Sequence, residues 1–216
     1  MVEIKVCGVT REEDAQEAGA LGAAYVGAIF ADSPRQLTAD RARLVLGAAP
    51  RGTARVGVFG PAAAMDIAAV AQLARLDIVQ LHGDPDTATI LELRRHWNGR
   101  VWAVLRISGA SLPIFSAKLF AVADAVVLDA RVEGKLGGTG TTIAWDALRA
   151  PLDTIRGAGA RLVLAGGLTA DNVARAIAAI KPHVVDVSSG VEASVGIKDH
   201  ARMRAFRDAA HAGALR

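Results

Sequence analysis

Two stretches toward the C-terminal end, RLVLAGGLTADNV from Arg161 and HVVDVSSGVE from His183, each carry a short apolar run into a turn of small residues. Gly166 and Gly167 in the first turn, and Ser188, Ser189 and Gly190 in the second, leave room for a dianion to approach backbone N–H groups. Turns of this kind after the last two strands, with a short helix start behind them, make the phosphate site of many (β/α)8 barrels. One such turn is as readily a plain strand terminator. Two in this order point to a phosphorylated small-molecule partner.

Two further side chains have types suited to proton transfer. In VEIKVC, Val2, Ile4 and Val6 share one face and Glu3, Lys5 and Cys7 the other. The apolar face belongs against helices, which sets Cys7 at a barrel mouth with Lys5 one step deeper. An ammonium there is expected to lower the thiol pKa from its ordinary value of about 8.5. Packing as a small buried hydrophobe is the competing explanation of Cys7. Asp129 closes the apolar run DAVVLD, and the end of a barrel strand is where a catalytic acid or base is expected. A turn-capping aspartate is the alternative.

Other polar residues are more open. Gln80 and His82 share a face and either contact substrate or bond to neighbouring strands. Asp186 shares a face with Ser188 and either orients substrate or pairs with Lys5. Arg106 either adds positive charge at the mouth or is an exposed strand-end cation, and Lys135 reads as solvated. The segment ARVEGKLGGTGTT, residues 130–142, is long and glycine-rich enough to close over a ligand, or it is only a connector. Its GGTG is not the dinucleotide fingerprint, and no P-loop GK[ST] is present.

The elements that must position these groups alternate along the chain. VEIKVC, AAYVGAIF, ARVGVF, LDIVQLH, RVWAVLRI, DAVVLD, RLVLAG and HVVDVS are eight strand candidates, the number that closes a parallel barrel. Helices lie between them, with start signals at Thr10, Thr38, Pro61, Asp84 and Thr169. The connector SGASLPIFSAKL is interrupted by Pro113 and is expected to be short or irregular. The expected fold is therefore one (β/α)8 barrel domain spanning residues 1–216.

Composition agrees. The 216 residues are 52% hydrophobic but 4% aromatic, so the core is built from Ala, Val, Leu and Ile, as parallel strands and their covering helices require. A formal charge of +3 without a basic, aromatic-interleaved run argues against nucleic acid. No apolar stretch reaches the roughly 18 residues of a membrane span, and MVEIKVCG lacks a secretory pattern; a cytoplasmic protein is expected, as monomer or homodimer. One cysteine makes neither an internal disulfide nor a zinc site.

Taken together, KVCGVT from Lys5, SPR from Ser33, GVF from Gly57, QLHG from Gln80, LD before GGTG, LAGGL with DNV, and DVSSGVE with a later GIKD resemble the phosphoribosylanthranilate isomerases, in the right order along the whole chain. The resemblance implies an Amadori rearrangement of N-(5-phosphoribosyl)anthranilate in tryptophan biosynthesis, with no cofactor and no metal. It implies Cys7 as general base, Asp129 as general acid and Arg35 at the anthranilate moiety. Gly166, Gly167, Ser188, Ser189 and Gly190 match the phosphate cradle. His82 and Asp186 are further substrate-side candidates. The chain departs from the family pattern at Ala31, Asp32, Ala130, Ile143 and Ala144, all in or beside loops. The alternatives are another phosphosugar barrel enzyme (an aminoaldose isomerase, an epimerase or a thiamine phosphate synthase type) and a non-catalytic sensor of phosphorylated ligands.

Overall fold

The computed structural model describes residues 1–107, 111–113, 116–130, 145–154 and 159–214. The segment 131–144, with Lys135, Ile143, Ala144 and the glycines of the expected closing loop, lies outside the described residues, as do 108–110 and 114–115 of the proline-containing connector.

Eight parallel strands close a barrel in chain order: β1 (Glu3–Cys7), β2 (Tyr25–Ile29), β3 (Ala54–Phe59), β4 (Ile78–Leu81), β5 (Arg100–Ile107), β6 (Ala125–Ala130), β7 (Arg161–Leu164) and β8 (Val184–Val187). The helices are α1 (Glu12–Ala20), α2 (Ala39–Gly47), α3 (Ala64–Leu73), α4 (Thr87–Arg94), α5 (Ser116–Val122), α6 (Trp145–Asp153), α7 (Val173–Ile180) and α8 (His200–Ala214). Between β8 and α8 the chain makes a 3-10 turn, Ser189–Val191, and a two-stranded antiparallel hairpin of β9 (Glu192–Ser194) and β10 (Ile197–Lys198).

Strand alternation splits the apolar residues into two clusters. Val2, Ile4 and Val6 pack outward with helix residues such as Ala15, Ala18, Met203 and Phe206. The inward set forms a separate core of Tyr25, Val56, Ile78, Trp102, Val104, Val127, Val163 and Val184, with Tyr25 and Trp102 edge to face at 4.9 Å between ring centroids. This plug fills the lower barrel, so the polar inward residues Cys7, Gln80, His82, Asp129 and Asp186 collect at the C-terminal rim.

The helix starts differ in part from their sequence signals. Thr38 does cap α2, its hydroxyl accepting from the Arg41 amide at 3.3 Å. Thr10 does not cap α1, whose cap position is Arg11; its hydroxyl donates to the Gly196 carbonyl at 2.5 Å and ties the β9–β10 hairpin to the β1 end. Asp84 does not cap α4 either. It is taken by the Arg106 guanidinium, so Arg106 is paired rather than free, and Asp86 caps by accepting from the Thr89 amide at 2.8 Å. Pro61 lies two residues before Ala63, the cap position of α3. Thr169 opens a turn in which its amide donates to Asn172, the cap position of α7, at 2.9 Å. For Thr10, Asp84 and Thr169 a partner or a turn near the expected residue outweighed the local signal.

Candidate active site

At the end of β1 the Lys5 ammonium, fully buried, donates to Asp186 on neighbouring β8 at 2.7 Å. Burial alone would lower the Lys5 pKa; the Asp186 carboxylate, with the Cys7 thiol, outweighs it and holds the ammonium charged. Cys7, two residues on, is buried. Burial pushes its thiol pKa up, and Lys5 opposes this without overcoming it, while Asp186 adds to the rise. The expected lowering of the thiol is thus corrected: Lys5 is engaged with Asp186, and desolvation decides the sign.

Gly27 on β2 makes room for both side chains. A Cβ there would lie 3.1 Å from Cys7 Sγ, 3.3 Å from Lys5 Cε and 3.4 Å from Lys5 Nζ. Gly27→Ala is therefore expected to displace the thiol and overpack the rim, with a stability loss of roughly 1–3 kcal/mol. Thermal unfolding together with thiol alkylation checks this, and unchanged values in both would show that the rim yields freely.

Across the mouth, Asp129 on β6 meets His82, just beyond β4, with Nε2 and Oδ2 3.0 Å apart. Both are buried. Sequence reasoning left His82 between substrate contact and structural bonding; the structure makes it the partner of the carboxyl. Gln80 Oε1 and Asp186 Oδ1 are buried acceptors without a partner among the described residues, and both residues line the same cavity. A buried acceptor left unpaired is costly, so these two atoms are the unsatisfied polar groups of the rim.

Arg35, in the loop after β2, reaches the cavity from the side. Its Nε and Nη2 donate to the two oxygens of Glu192 on β9 at 2.7 and 2.6 Å. Glu192 also accepts from Lys198 Nζ at 3.0 Å, and Lys198 Nζ donates to the Ser188 carbonyl at 3.1 Å. Burial alone would raise the Glu192 pKa, but Arg35 and Lys198 outweigh it and hold the group ionised. Gly8 permits this approach: its φ is +66°, and a Cβ there would stand 2.8 Å from Arg35 Cδ and 3.0 Å from Ser188 Oγ.

The two small-residue turns complete the cavity. Gly166 and Gly167 have φ of +89° and +64°, the left-handed region that favours glycine. Ser189 and Gly190 begin the 3-10 turn, where amides have no acceptor within the helix. A Cβ at Gly190 would stand 2.0 Å from the Leu168 carbonyl oxygen, so the turns after β7 and β8 can adjoin only with glycine there.

One cavity is lined by Cys7, Arg35, His82, Asp129, Gly166, Gly167, Asp186, Ser188, Ser189 and Gly190, the whole set of site residues expected from sequence. Gln80 joins them, though sequence reasoning gave it no firmer role than His82. Glu192 and Lys198, which hold Arg35 from behind, were not singled out from sequence. Their only signal was their place in the VE and GIKD strings. Among the described residues no cluster of His, Cys, Asp and Glu has the form of a metal site, and no helix is long and apolar enough to cross a membrane.

Comparison with known proteins gives this cavity a context. The family model described as N-(5'-phosphoribosyl)anthranilate (PRA) isomerase matches residues 4–209. A relative from Pseudomonas aeruginosa strain UCBPP-PA14, named N-(5'-phosphoribosyl)anthranilate isomerase, is 43% identical over 209 residues, 96% of this chain and 94% of its own length. The crystal structure of phosphoribosyl anthranilate isomerase from Thermotoga maritima superposes with a TM-score of 0.85 at 32% identity, covering 98% of this chain and 100% of that one. Another structure of a phosphoribosyl anthranilate isomerase, in complex with reduced 1-(o-carboxyphenylamino)-1-deoxyribulose 5-phosphate, matches with a TM-score of 0.82 and 31% identity, covering 98% and 100%. An eight-stranded barrel with this rim, a family match over nearly its whole length and relatives above 40% identity lead to one assignment: the chain belongs to the phosphoribosylanthranilate isomerase family, enzymes of tryptophan biosynthesis.

Proposed function

We propose that this chain converts N-(5-phosphoribosyl)anthranilate to 1-(2-carboxyphenylamino)-1-deoxyribulose 5-phosphate, with Asp129 as general acid and Cys7 as general base. The observation that carries this reading is the placement of a thiol at the end of β1 and a carboxyl at the end of β6, facing one cavity floored by two phosphate-type turns. A sensor of phosphorylated ligands has no use for such a pair.

The steps follow from the groups present. Asp129 gives a proton to the ribose ring oxygen, the C1–O bond breaks, and the nitrogen lone pair forms a C1 iminium. His82, bonded to Asp129, orients the acid. The iminium acidifies the C2 hydrogen, which the Cys7 thiolate removes to leave an enolamine. Because the thiol pKa is raised, the cationic iminium matters twice: it activates C2 and favours the thiolate beside it. Loss of the O2 proton and gain of a proton at C1 give the ketose. Gly166, Gly167, Ser189 and Gly190 hold the phosphate through backbone amides. Gln80 and Asp186 line the cavity, and each has one unpartnered buried oxygen, Oε1 and Oδ1, to accept from ribose hydroxyls once substrate is bound. Arg35 receives the anthranilate carboxylate, so the substrate is held at both ends with its reacting carbons between base and acid.

Purified protein mixed with freshly generated phosphoribosylanthranilate should produce an enzyme-dependent loss of anthranilate fluorescence. No loss above the spontaneous rate contradicts the reading. The phosphate site has its own test. Gly167→Asp places a carboxylate where the dianion docks and should raise KM strongly in a folded protein, and an unchanged KM would remove this turn from the site.

A further inference from the structure

The β9–β10 hairpin carries two buried charges that the proton-transfer scheme does not use. Glu192 and Lys198 have side chains 5% and 0% exposed, and neither lines the cavity, although Arg35 does. Glu192 engages Arg35 through the Nε and Nη2 edge, which leaves the end of the guanidinium, Nη1 with the second hydrogen of Nη2, without a partner among the described residues. A carboxylate ligand can still be met bidentately, but only end-on. The hairpin itself is fixed: Lys198 donates its amide to buried Asp14 at 3.1 Å, and Asp14 also accepts from Arg11 and pairs with His200.

Charge separates two roles for Glu192. An arginine neutralised by a carboxylate would attract a second carboxylate weakly. Here Lys198 adds a cation on the far side of Glu192, so the triad Arg35–Glu192–Lys198 keeps a net charge of one positive while the guanidinium is held at one angle. We infer that Glu192 is the positioning residue for Arg35 and that Lys198 restores the charge Glu192 would cancel, so that the VE and GIKD strings together set the preference for a carboxylate-bearing aryl amine. The inference rests on Arg35 receiving that carboxylate.

The test compares two ligands by calorimetry: the reduced carboxyphenylamino ketose phosphate and its phenylamino counterpart without the carboxylate. The wild-type protein is expected to prefer the first. Arg35→Ala should collapse the preference. Glu192→Gln should lower it by about tenfold, the scale of one charge-assisted hydrogen bond, with the phenylamino ligand bound as before and no further loss when combined with Arg35→Ala. Lys198→Gln should lower it likewise. Removing the Glu192 charge makes the triad more positive, so tighter binding of the carboxylate in Glu192→Gln would show a charge damper and overturn positioning. Equal weakening of both ligands would show a merely structural role and also overturn it. Should Glu192→Gln fail to fold, Glu192→Asp keeps the charge but withdraws the carboxylate; an unchanged preference there overturns the proposal. If Arg35→Ala collapses the preference while Glu192→Gln and Lys198→Gln leave it intact, the positioning role alone fails. If Arg35→Ala leaves it intact, the Arg35 assignment fails and the inference with it.

Discussion

Cys7→Ala is expected to lower turnover by about 100-fold or more, the scale of losing a positioned general base, while the reduced product analogue binds nearly as before. The thiol sits above the packed barrel layers beside Gly27, and truncating it removes one small group at the rim, so thermal stability should change far less than rate. The raised thiol pKa adds a sign to the same experiment. Below that pKa the thiolate fraction grows about tenfold per pH unit, so alkylation of the free wild-type protein by iodoacetamide should be slow at neutral pH and climb steeply as pH rises. The product analogue should suppress it. Full activity of a folded Cys7→Ala protein would remove Cys7 from the mechanism. Rapid alkylation already at neutral pH would mean that Lys5 outweighs burial after all.

Asp129→Asn should be comparably damaging, again by about 100-fold or more, because an amide keeps the shape of the carboxyl and a bond to His82 but cannot deliver the proton that opens the ribose ring. The effect should fall on kcat more than on KM, since the contacts proposed for the phosphate and the carboxylate lie elsewhere on the rim. Single-turnover rates with preformed complex check this. Unimpaired turnover would reassign ring opening to His82, the other proton-bearing group within 3.0 Å.

Much of this site was legible in the chain because its parts are local. Each strand is a β-branched run ended by small or polar residues, and parity within VEIKVC alone put Lys5 and Cys7 inside the barrel. The GGL and SSG turns announce themselves by the absence of side chains. What the chain hid depends on distance. Arg35 and Glu192 are 157 residues apart, so nothing near SPR says that two of its arginine's five N–H donors are taken. Lys5 and Asp186 were visible as one option for a pair, yet its effect on the thiol depended on how completely burial removes water from Cys7, which no local pattern encodes. Asp84 failed as a helix cap for a related reason: Arg106, 22 residues on, competes for the same carboxylate. Gly27 was legible only in retrospect, since a glycine inside a strand signals a close approach without saying to what.

The most direct test follows the substrate carbons. Phosphoribosylanthranilate labelled with carbon-13 at ribose C1 and C2, observed by NMR during turnover, distinguishes rearrangement from spontaneous hydrolysis. With the wild-type protein the C1 signal should move from an N-glycosidic anomeric position to an amino-methylene as C2 becomes a ketone, and with Cys7→Ala or Asp129→Asn the same conversion should be slowed by about 100-fold or more. A label that stays anomeric, or appears only as free ribose 5-phosphate, in the presence of wild-type protein would contradict the account.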